Sequence, residues 1–423
     1  MSLKGSLTVA SDKSITHRAI IFSSLSKGTT QIYNPLLGED CLSTLEIFKS
    51  FGVKSHIENN CLTITSPGID SFEIESPVLD AKNSGTTARL LMGVFPYLKK
   101  PVTLIGDDSL SKRPMRRVVT PLSQMGARIE LKEEATLPAH IFPSHLSGIS
   151  YVLPVASAQV KSAVMLAGML AKGRTTISEP IPTRDHTEKM FEDFKIHYQK
   201  LNRVITIEGP QMPQTPGEVF VPGDISSAAF FIVAALIVPG SEIIINNVGI
   251  NETRSGIIDV IQSMGGNLTL LNPRYFGGEP VADLKVEYTP RLTATVIEGE
   301  LIPRLIDEIP ILALLATRAV GTTVIKDAEE LKVKETNRID VTVQQLSSIG
   351  AKIKATEDGM IIEGNPMEDF CEAKVSSHKD HRIAMMLCVA SLLLEKPLVI
   401  EDVESMNISY PDFLQHLQAL SEN

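Results

Sequence analysis

The sequence predicts an α/β protein built from six copies of one unit of about 70 residues. The chain has 423 residues, which is too long for a single hydrophobic core. One short pattern recurs six times: an apolar helix end, a tight turn, and a strand rich in Thr, Val and Ile. In five copies an amphipathic helix follows and ends at a second turn. These observations favour a repeated strand-helix-strand-helix unit.

The elements follow the same order in each copy. The six turn-and-strand segments lie at 28–32, 100–104, 173–177, 240–244, 321–325 and 396–400. The second turns lie at 51–53, 125–127, 194–196, 264–266 and 349–351. Further strands are expected at 61–64 and 360–362, and a last helix at 410–420. Helices are expected to begin at capping residues, such as Asp185 before the helix 186–194, and to stop at glycines.

The repeat predicts two lobes of three copies each. Each copy is longer than a solenoid repeat and has two helices, so a closed grouping is favoured over an open array. The boundary is expected at 221–224, where Pro222 and Gly223 interrupt the pattern between the third and fourth copies.

Composition and charge exclude several classes of protein. There are 40 Lys and Arg against 50 Asp and Glu, a net charge of −10, so nucleic acid is not an expected partner. The longest apolar stretches, 228–238 and 384–394, are far shorter than the roughly 20 residues of a membrane span. No export signal opens the sequence and the four cysteines are widely spaced, so we expect reduced thiols and a cytoplasmic location. No metal and no cofactor are expected.

Polar clusters in the first half of the chain suit an anionic ligand. Lys13, Ser14 and Arg18 surround a helix start, where backbone N–H groups and the helix dipole favour a phosphate. A small-residue loop around Gly85 lets backbone approach an anion, and Arg113 offers a planar fork for carboxylate or phosphate. Each stretch alone fits an ordinary helix start or a solvated basic face at least as well. Two more clusters surround 156–161 and 184–186.

The C-terminal clusters add titratable acids. Asp307 stands just before a wholly apolar helix and is a candidate general base, although it would serve equally as the helix N-cap. Lys334 and Arg338 are predicted to share one helix face, where they would repel each other unless an anion lay between them. Glu335 is the second acid, and Arg382 adds a further cation. The combined set indicates small substrates with several negative charges and proton transfer to and from them.

Nine ordered motifs give the chain a family resemblance. They are D-K-S-x-x-H-R at 12–18, N-S-G-T-x-x-R at 83–89, R-P-M-x-R-V at 113–118, S-A-Q-V-K-S at 157–162, R-D-H-T-E at 184–188, P-G-D-x-S-S-A at 222–228, D-E-x-P at 307–310, K-E-x-x-R at 334–338 and D-H-R-x-A-M at 380–385. In these motifs the chain resembles the EPSP synthases (5-enolpyruvylshikimate-3-phosphate synthases). Ile408 falls near the position where many members have a lysine.

The resemblance implies a fold and an organisation. The family fold has two lobes, each of three βαβαββ units, in an enolpyruvyl transferase-like inside-out barrel. Residues 12–223 would form one lobe and residues 1–11 with 224–423 the other, with a hinge near 11–13 and 221–225. Substrates bind in the cleft and the lobes close on them, and family precedent implies a monomer.

The resemblance also implies a reaction in the shikimate pathway to chorismate and the aromatic amino acids. The enolpyruvyl (carboxyvinyl) group of phosphoenolpyruvate passes to the 5-hydroxyl of shikimate 3-phosphate by addition and elimination, with release of phosphate. The catalytic residues would be Asp307 as base, with Glu335 and Lys13 as candidates for protonating the methylene carbon and assisting phosphate departure. The residues implied to bind shikimate 3-phosphate are Lys13, Ser14, Arg18, Ser157, Ala158, Gln159, Arg184, Asp307 and Lys334. Those implied to bind phosphoenolpyruvate are Lys13, Gly85, Arg113, Gln159, Arg338 and Arg382. Glyphosate is the inhibitor expected at the phosphoenolpyruvate site.

Three alternatives remain beside this interpretation. A UDP-N-acetylglucosamine enolpyruvyl transferase shares fold and chemistry but would carry a catalytic cysteine in the loop 107–117, where this chain has Arg113 and no cysteine. A non-catalytic nucleic-acid-binding repeat protein is opposed by the net charge of −10. An RNA 3′-phosphate cyclase would need a nucleotide-reactive histidine, a role that nothing supports for His381.

Overall fold

The chain folds into two compact units. The computed structural model describes residues 2–421. The N-terminal unit consists of Ser11–Val221 together with Phe276–Glu279. The C-terminal unit consists of the residues up to Ala10, Pro222–Tyr275 and the chain from Pro280 onward. The short segment Phe276–Glu279 is the tip of a hairpin. The sequence pattern does not indicate that it belongs to the N-terminal unit.

The elements alternate as the repeat predicts. Up to residue 221 they are β1 (Lys4–Thr8), α1 (Lys13–Leu25), β2 (Gly28–Tyr33), α2 (Glu39–Lys49), β3 (Lys54–Glu58), β4 (Cys61–Ser66), β5 (Val78–Asp80), α3 (Gly85–Met92), β6 (Val102–Ile105), α4 (Arg116–Gln124), β7 (Arg128–Lys132), β8 (Thr136–Phe142), β9 (Ser150–Val152), α5 (Ala158–Leu170), β10 (Gly173–Ser178), α6 (His186–Asp193), β11 (Tyr198–Leu201), β12 (Val204–Gly209) and β13 (Glu218–Phe220).

The same alternation continues after residue 221. The elements are α7 (Ile225–Ile237), β14 (Glu242–Gly249), α8 (Gly256–Ser263), β15 (Asn267–Phe276), β16 (Glu279–Glu287), β17 (Leu292–Thr293), β18 (Val296–Ile297), α9 (Ile302–Leu305), α10 (Ile309–Thr317), β19 (Ala319–Ile325), α11 (Arg338–Ser348), β20 (Lys352–Ala355), β21 (Met360–Gly364), β22 (Lys374–Ser376), α12 (His381–Ser391), β23 (Val399–Glu401) and α13 (Phe413–Ser421).

Three four-stranded sheets of one design form the N-terminal unit. Their strand orders are β13-β2-β4-β3, β5-β6-β8-β7 and β11-β12-β10-β9. In each sheet a short first strand pairs in parallel with the strand after the first helix, and an antiparallel hairpin completes the sheet. In the first sheet β13 takes the place of that first strand and pairs in parallel with β2.

The C-terminal unit repeats this design with one exception. Its sheets are β1-β14-β16-β15 and β17-β19-β21-β20, with β18 also pairing with β19, and the two-stranded sheet β22-β23. The sixth copy lacks the closing hairpin, because the chain after β23 forms a 3-10 segment at Val403–Ile408 and then α13. The α/β class and the six-fold repeat are confirmed, and the sixth copy is a shortened version of the unit.

The first helix of each copy is buried in the core of its unit. In the C-terminal unit every side chain of α7 and α10 is buried, and α12 is buried from His381 to Ala390. Helices that are apolar on every side are stable only when surrounded by other elements. Strands such as β4 and β8 alternate between buried and exposed residues, so each sheet covers the helices with one face. The helices therefore lie inside and the sheets outside, as the inside-out description implies, although no strands in the described part of the chain close into a barrel.

The second turns lie where the sequence predicts them. Gly52, Gly126, Gly265 and Gly350 each follow a helix and have a positive φ, between +77° and +101°. Such backbone is available to glycine without steric cost, which is why it ends helices so often. Lys195 takes the same place in the third copy with φ +61°.

Candidate active site

Three helix N-termini of the N-terminal unit carry predicted site residues. The helices α1, α3 and α5 begin at Lys13, Gly85 and Ala158. Each start is capped by a side-chain oxygen: Asp12 accepts from the Ile15 N–H at 2.8 Å, Ser84 from Thr87, and Ser157 from Val160. The remaining N–H groups and the positive ends of the helix dipoles favour anions here.

Lys13 and Arg18 are held on α1 by different partners. The Lys13 ammonium donates to Asp40 at 2.9 Å, and its side chain is one-fifth exposed. Arg18 is buried and donates to the hydroxyls of Thr187 and Ser162 at 2.8 and 2.7 Å, and to the Ser14 carbonyl at 3.0 Å. Burial lowers the pKa of Arg18 to about 10, which still leaves the guanidinium charged at neutral pH.

Gly85 lies against two arginines. A Cβ atom on Gly85 would come within 2.9 Å of an Nη atom of Arg89 and 3.4 Å of one of Arg113. Arg113 donates to Asn83 at 3.0 Å, while Arg89 donates to Gln159 at 2.7 Å. The absence of a side chain at Gly85 therefore keeps backbone next to two guanidinium groups, an arrangement suited to a carboxylate or phosphate.

Arg184 adds a second cation near Arg18. It lies in the segment between β10 and α6, is half-buried, and its charge acts to lower the pKa of Arg18. Two cations near each other are stabilised when an anion binds between them. Beneath this region Lys161 of α5 is fully buried and contacts Glu179 and Glu188 at 3.1 and 2.8 Å.

In the C-terminal unit, three cations surround Asp307. This residue lies in the 3-10 turn Ile306–Glu308 that leads into α10. Its Oδ1 is 3.2 Å from Nη1 of Arg338, 3.8 Å from Nζ of Lys334 and 3.9 Å from Nε of Arg382. The side chain is 13% exposed, so the carboxylate remains accessible although Arg338 and Arg382 are buried.

Arg338 is held by three carboxylates. Its Nε donates to Asp380 at 2.8 Å, and its two Nη atoms donate to Asp307, to Glu335 at 2.5 Å, and again to Asp380. Burial alone would lower the pKa of Arg338, but the charges of Asp380 and Glu335 raise it above its usual value. Burial would raise the pKa of Asp380, but Arg338 holds it below its usual value. The pair is therefore a fully charged, buried ion pair.

The predicted helix face shared by Lys334 and Arg338 is wrong. The helix α11 begins at Arg338, its N-cap is Asn337, and Lys334 belongs to the non-helical segment before it. The Asn337 side chain accepts from the Asp340 N–H, which fixes the helix start at this point. Both cations nevertheless lie near a negative charge, because both of them approach Asp307.

The structure gathers the predicted residues into two sets, one in each unit. The set of the N-terminal unit is Lys13, Ser14, Arg18, Gly85, Arg113, Ser157, Ala158, Gln159 and Arg184. The set of the C-terminal unit is Asp307, Lys334, Glu335, Arg338 and Arg382. Asp307 is not the N-cap of α10, because that position belongs to Glu308.

Four residues next to these sets are absent from the predicted catalytic and substrate-binding residues. Asp40 holds Lys13, Asn83 and Arg89 adjoin the Gly85 turn, and Asp380 holds Arg338. Asn83, Arg89 and Asp380 belong to the sequence motifs, so they could have been predicted from them. Asp40 belongs to no motif and lies 27 residues from its partner in an ordinary helical segment, so the sequence did not indicate it.

The described residues contain neither a cluster of metal ligands nor a helix that could cross a membrane. Within residues 2–421, no group of three His, Cys, Asp or Glu side chains is placed to hold a metal ion. No helix in that part of the chain combines the length and apolarity needed to cross a bilayer.

Comparison with known proteins decides the family. The model of the family EPSP synthase (3-phosphoshikimate 1-carboxyvinyltransferase) matches residues 1–417. The chain belongs to the EPSP synthase family. A Staphylococcus aureus protein named 3-phosphoshikimate 1-carboxyvinyltransferase is 51% identical over 419 residues, which cover 99% of this chain and 96% of the relative.

Solved structures agree with this membership in the EPSP synthase family. The EPSP synthase of Acinetobacter baumannii has a TM-score of 0.88 at 40% identity, covering 99% of this chain and 96% of that one. The enolpyruvyl transferase NikO of Streptomyces tendae has a TM-score of 0.78 at 16% identity, covering 99% and 95%. The second likeness shows the fold alone.

Proposed function

We propose that the chain transfers the enolpyruvyl group of phosphoenolpyruvate to the 5-hydroxyl of shikimate 3-phosphate and releases phosphate. Membership of the EPSP synthase family supports this reaction. The structural observation that carries it is Asp307, an accessible carboxylate surrounded by Lys334, Arg338 and Arg382. A base beside cations suits the removal of a proton from one anionic substrate while a second anion is bound.

Asp307 is proposed as the general base. In the addition step the 5-oxygen bonds to C2 of phosphoenolpyruvate, its proton passes to Asp307, and the methylene carbon C3 gains a proton. In the elimination step C3 loses a proton, the double bond re-forms, and the C–O bond to phosphate breaks. Glu335 and Lys13 are proposed to serve the C3 proton transfers and the departure of phosphate between them.

The binding roles are divided between the two sets of residues. For shikimate 3-phosphate we propose Lys13, Ser14, Arg18, Ser157, Ala158, Gln159, Arg184, Asp307 and Lys334. For phosphoenolpyruvate we propose Lys13, Gly85, Arg113, Gln159, Arg338 and Arg382. The guanidinium groups of Arg89 and Arg113, which a side chain at Gly85 would meet, support the second assignment. The predicted lobes, 12–223 and 1–11 with 224–423, are proposed to correspond to the two units, whose limits lie close to these numbers.

Arg338 can offer phosphoenolpyruvate two hydrogen bonds only by exchanging a partner. Hydrogen bonds to carboxylates already use four of the five N–H groups of its guanidinium. Asp380 is fully buried and remains in place, whereas Asp307 and Glu335 are partly exposed. An arriving substrate anion would therefore replace Asp307 or Glu335 on Arg338. This exchange would free the carboxylate of Asp307 or Glu335 to act as an acid or base once the substrate is bound.

A phosphate-release assay tests the reaction. Phosphoenolpyruvate is supplied with shikimate 3-phosphate, and in parallel with UDP-N-acetylglucosamine. We expect phosphate only with the first acceptor, and release only with the second would overturn the proposal.

The variant Asp307→Ala tests the base. We expect turnover to be lost while shikimate 3-phosphate still binds, as measured by calorimetry. The control Asp369→Ala removes an exposed aspartate of the same unit and is expected to keep full turnover. Turnover retained by D307A would remove Asp307 from the base role.

Glyphosate is proposed to compete with phosphoenolpyruvate. Its carboxylate and phosphonate would meet the guanidinium groups beside Gly85, where a side chain would interfere. We expect inhibition that weakens as phosphoenolpyruvate is raised but not as shikimate 3-phosphate is raised. Unchanged turnover in millimolar glyphosate at low phosphoenolpyruvate would contradict this.

A cytoplasmic monomer is proposed as the working form.

A further inference from the structure

We propose that Arg254 is a positioning residue for Asp307, acting through the neighbouring carboxylate of Glu308. This inference rests on the proposed role of Asp307 as base. Nothing in the nine sequence motifs includes Arg254, which lies in the loop between β14 and α8. Its side chain is 3% exposed, so Arg254 is a buried residue and not part of the protein surface.

Arg254 is the centre of a buried polar cluster. One Nη atom donates to Asp224 at 3.0 Å and to the hydroxyl of Ser226 at 2.6 Å. The other donates to Glu308 at 3.2 Å. Ser226 also donates to Glu308. The cluster thus links the loop before α8, the start of α7 and the start of α10.

Each partner of Arg254 controls the start of a buried helix. Asp224 is the N-cap of α7 and accepts from the Ser226 N–H at 2.8 Å. Glu308 occupies the N-cap position of α10 but makes no side-chain bond to that helix's own backbone. Its side chain is instead completely buried against Arg254 and Ser226. A buried carboxylate needs such a partner, because an unpaired charge is unstable in a protein interior.

The anchoring of Glu308 determines where Asp307 points. The two acids are consecutive in the turn Ile306–Glu308, so fixing one side chain in the interior restricts the backbone of the other. Asp307 remains partly exposed, within 4 Å of Lys334, Arg338 and Arg382. If Arg254 were absent, Glu308 would lose its only cationic partner among the contacts of the described residues and the turn would shift. A displacement of about 1 Å at a reacting group can cost about 100-fold in rate.

The test compares Arg254→Ala with Arg304→Ala. Arg304 precedes Asp307 by three residues and contacts the Glu252 carbonyl and Asp259 rather than Glu308, so it controls for loss of an arginine near the same turn. We expect R254A to lose about 100-fold in kcat while KM for both substrates stays close to that of the parent protein. Millimolar guanidinium can refill the space that the R254A substitution leaves, so it should restore at least part of kcat in R254A. It should not change kcat in R304A.

Arg254→Lys is a milder variant that can be tested if R254A does not fold. In Arg254→Lys the ammonium can pair with one carboxylate but lacks the planar fork that reaches three partners. We expect folded R254K to show a lower kcat at unchanged KM. An unchanged kcat in folded R254K, or in R254A, would overturn the inference, as would a loss of kcat in R254A that guanidinium does not relieve.

Asp307→Asn in the same assay separates this inference from the proposed function. Retained turnover in D307N would overturn the base assignment and the role of Arg254 with it. Loss of turnover in D307N together with full kcat in R254K would overturn only the role of Arg254.

Discussion

At the scale of single residues, buried polar groups decide the local charge of the site. His17 is the clearest case, since it lies on α1 between the substrate-binding candidates Lys13 and Arg18. It is completely buried, and its Nδ1 is 2.8 Å from the hydroxyl of Thr44. Burial lowers the pKa of His17 to about 3; Asp40 opposes this, and Lys13 and Arg18 reinforce it. His17 is therefore a neutral hydrogen-bonding group at physiological pH.

The neutral state of His17 predicts a specific loss of stability in acid. Between its ordinary pKa of about 6.5 and the lowered value, the unfolded chain binds a proton that the folded chain does not, so stability falls as pH falls. Between pH 6.5 and 4.5 this amounts to about 2–3 kcal/mol in the free energy of unfolding. Urea unfolding of the parent protein and of His17→Gln should show a smaller acid loss in the variant.

The control for this prediction is His56→Gln, which removes an exposed histidine of the same unit. Its acid loss is expected to match that of the parent protein. Parallel stability curves for the parent protein and H17Q would show that His17 does not carry the effect.

At the scale of elements, the first helix of each repeat brings its N-terminus to the candidate residues. In the N-terminal unit Arg89 of α3 contacts Gln159 of α5, and Arg18 of α1 contacts Ser162 of α5. In the C-terminal unit Ser226 of α7 contacts Glu308 before α10, and Arg382 of α12 approaches Asp307. One repeated connection thus places the start of three helices together in each unit, which favours anion binding.

The close approach of α3 and α5 depends on a glycine. A Cβ atom at Gly93, which follows α3, would lie 2.2 Å from the carbonyl oxygen of Ala163 in α5. We expect Gly93→Ala to cost about 1–3 kcal/mol of stability, because inserted atoms force packed elements apart. The same shift should disturb the bond between Arg89 and Gln159 and raise KM for phosphoenolpyruvate in steady-state assays.

Gly265→Ala provides the control for this prediction. Gly265 has φ +77°, and no atom lies within 4 Å of the place that a Cβ would occupy, so alanine adds backbone strain of about 1–2 kcal/mol without a clash. G265A is expected to lose stability at an unchanged KM. If both variants raised KM equally, the spacing of α3 and α5 would not be the cause.

At the scale of the whole molecule, much of the architecture can be predicted from local patterns. The turns before β2, β6, β10, β14, β19 and β23 follow one sequence rule, and so do the glycines that end the second helices. The pairing of β1 with β14 and of β13 with β2 does not follow from local patterns, because the partners are far apart in the sequence. The shortened sixth sheet is likewise a feature of how the chain packs after β23.

The candidate site was predictable in its chemistry more than in its geometry. Cation-rich motifs indicated anionic substrates, and the net charge of −10 placed those cations in an otherwise acidic protein. The sequence could not show that Arg338 is already paired with Asp380 and Asp307, because these acids lie 42 and 31 residues away. Arg254 was missed for the same reason, since its partners Asp224 and Glu308 lie 30 and 54 residues away.

The pairing of β1 with β14 has a consequence for synthesis. In that pairing Lys4 lies opposite Glu242, so the first strand leaves the ribosome more than 200 residues before its partner. At about 5–20 residues per second this delay is on the order of 10–50 s, during which the edges of β1 have no native partner. The strand is short, with the sequence KGSLT, and a lysine and a glycine make it a poor template for aggregation. Among the strand pairings of the described residues, β1 with β14 spans the widest separation in sequence. It is thus made by a segment with little tendency to aggregate before its partner strand is synthesised.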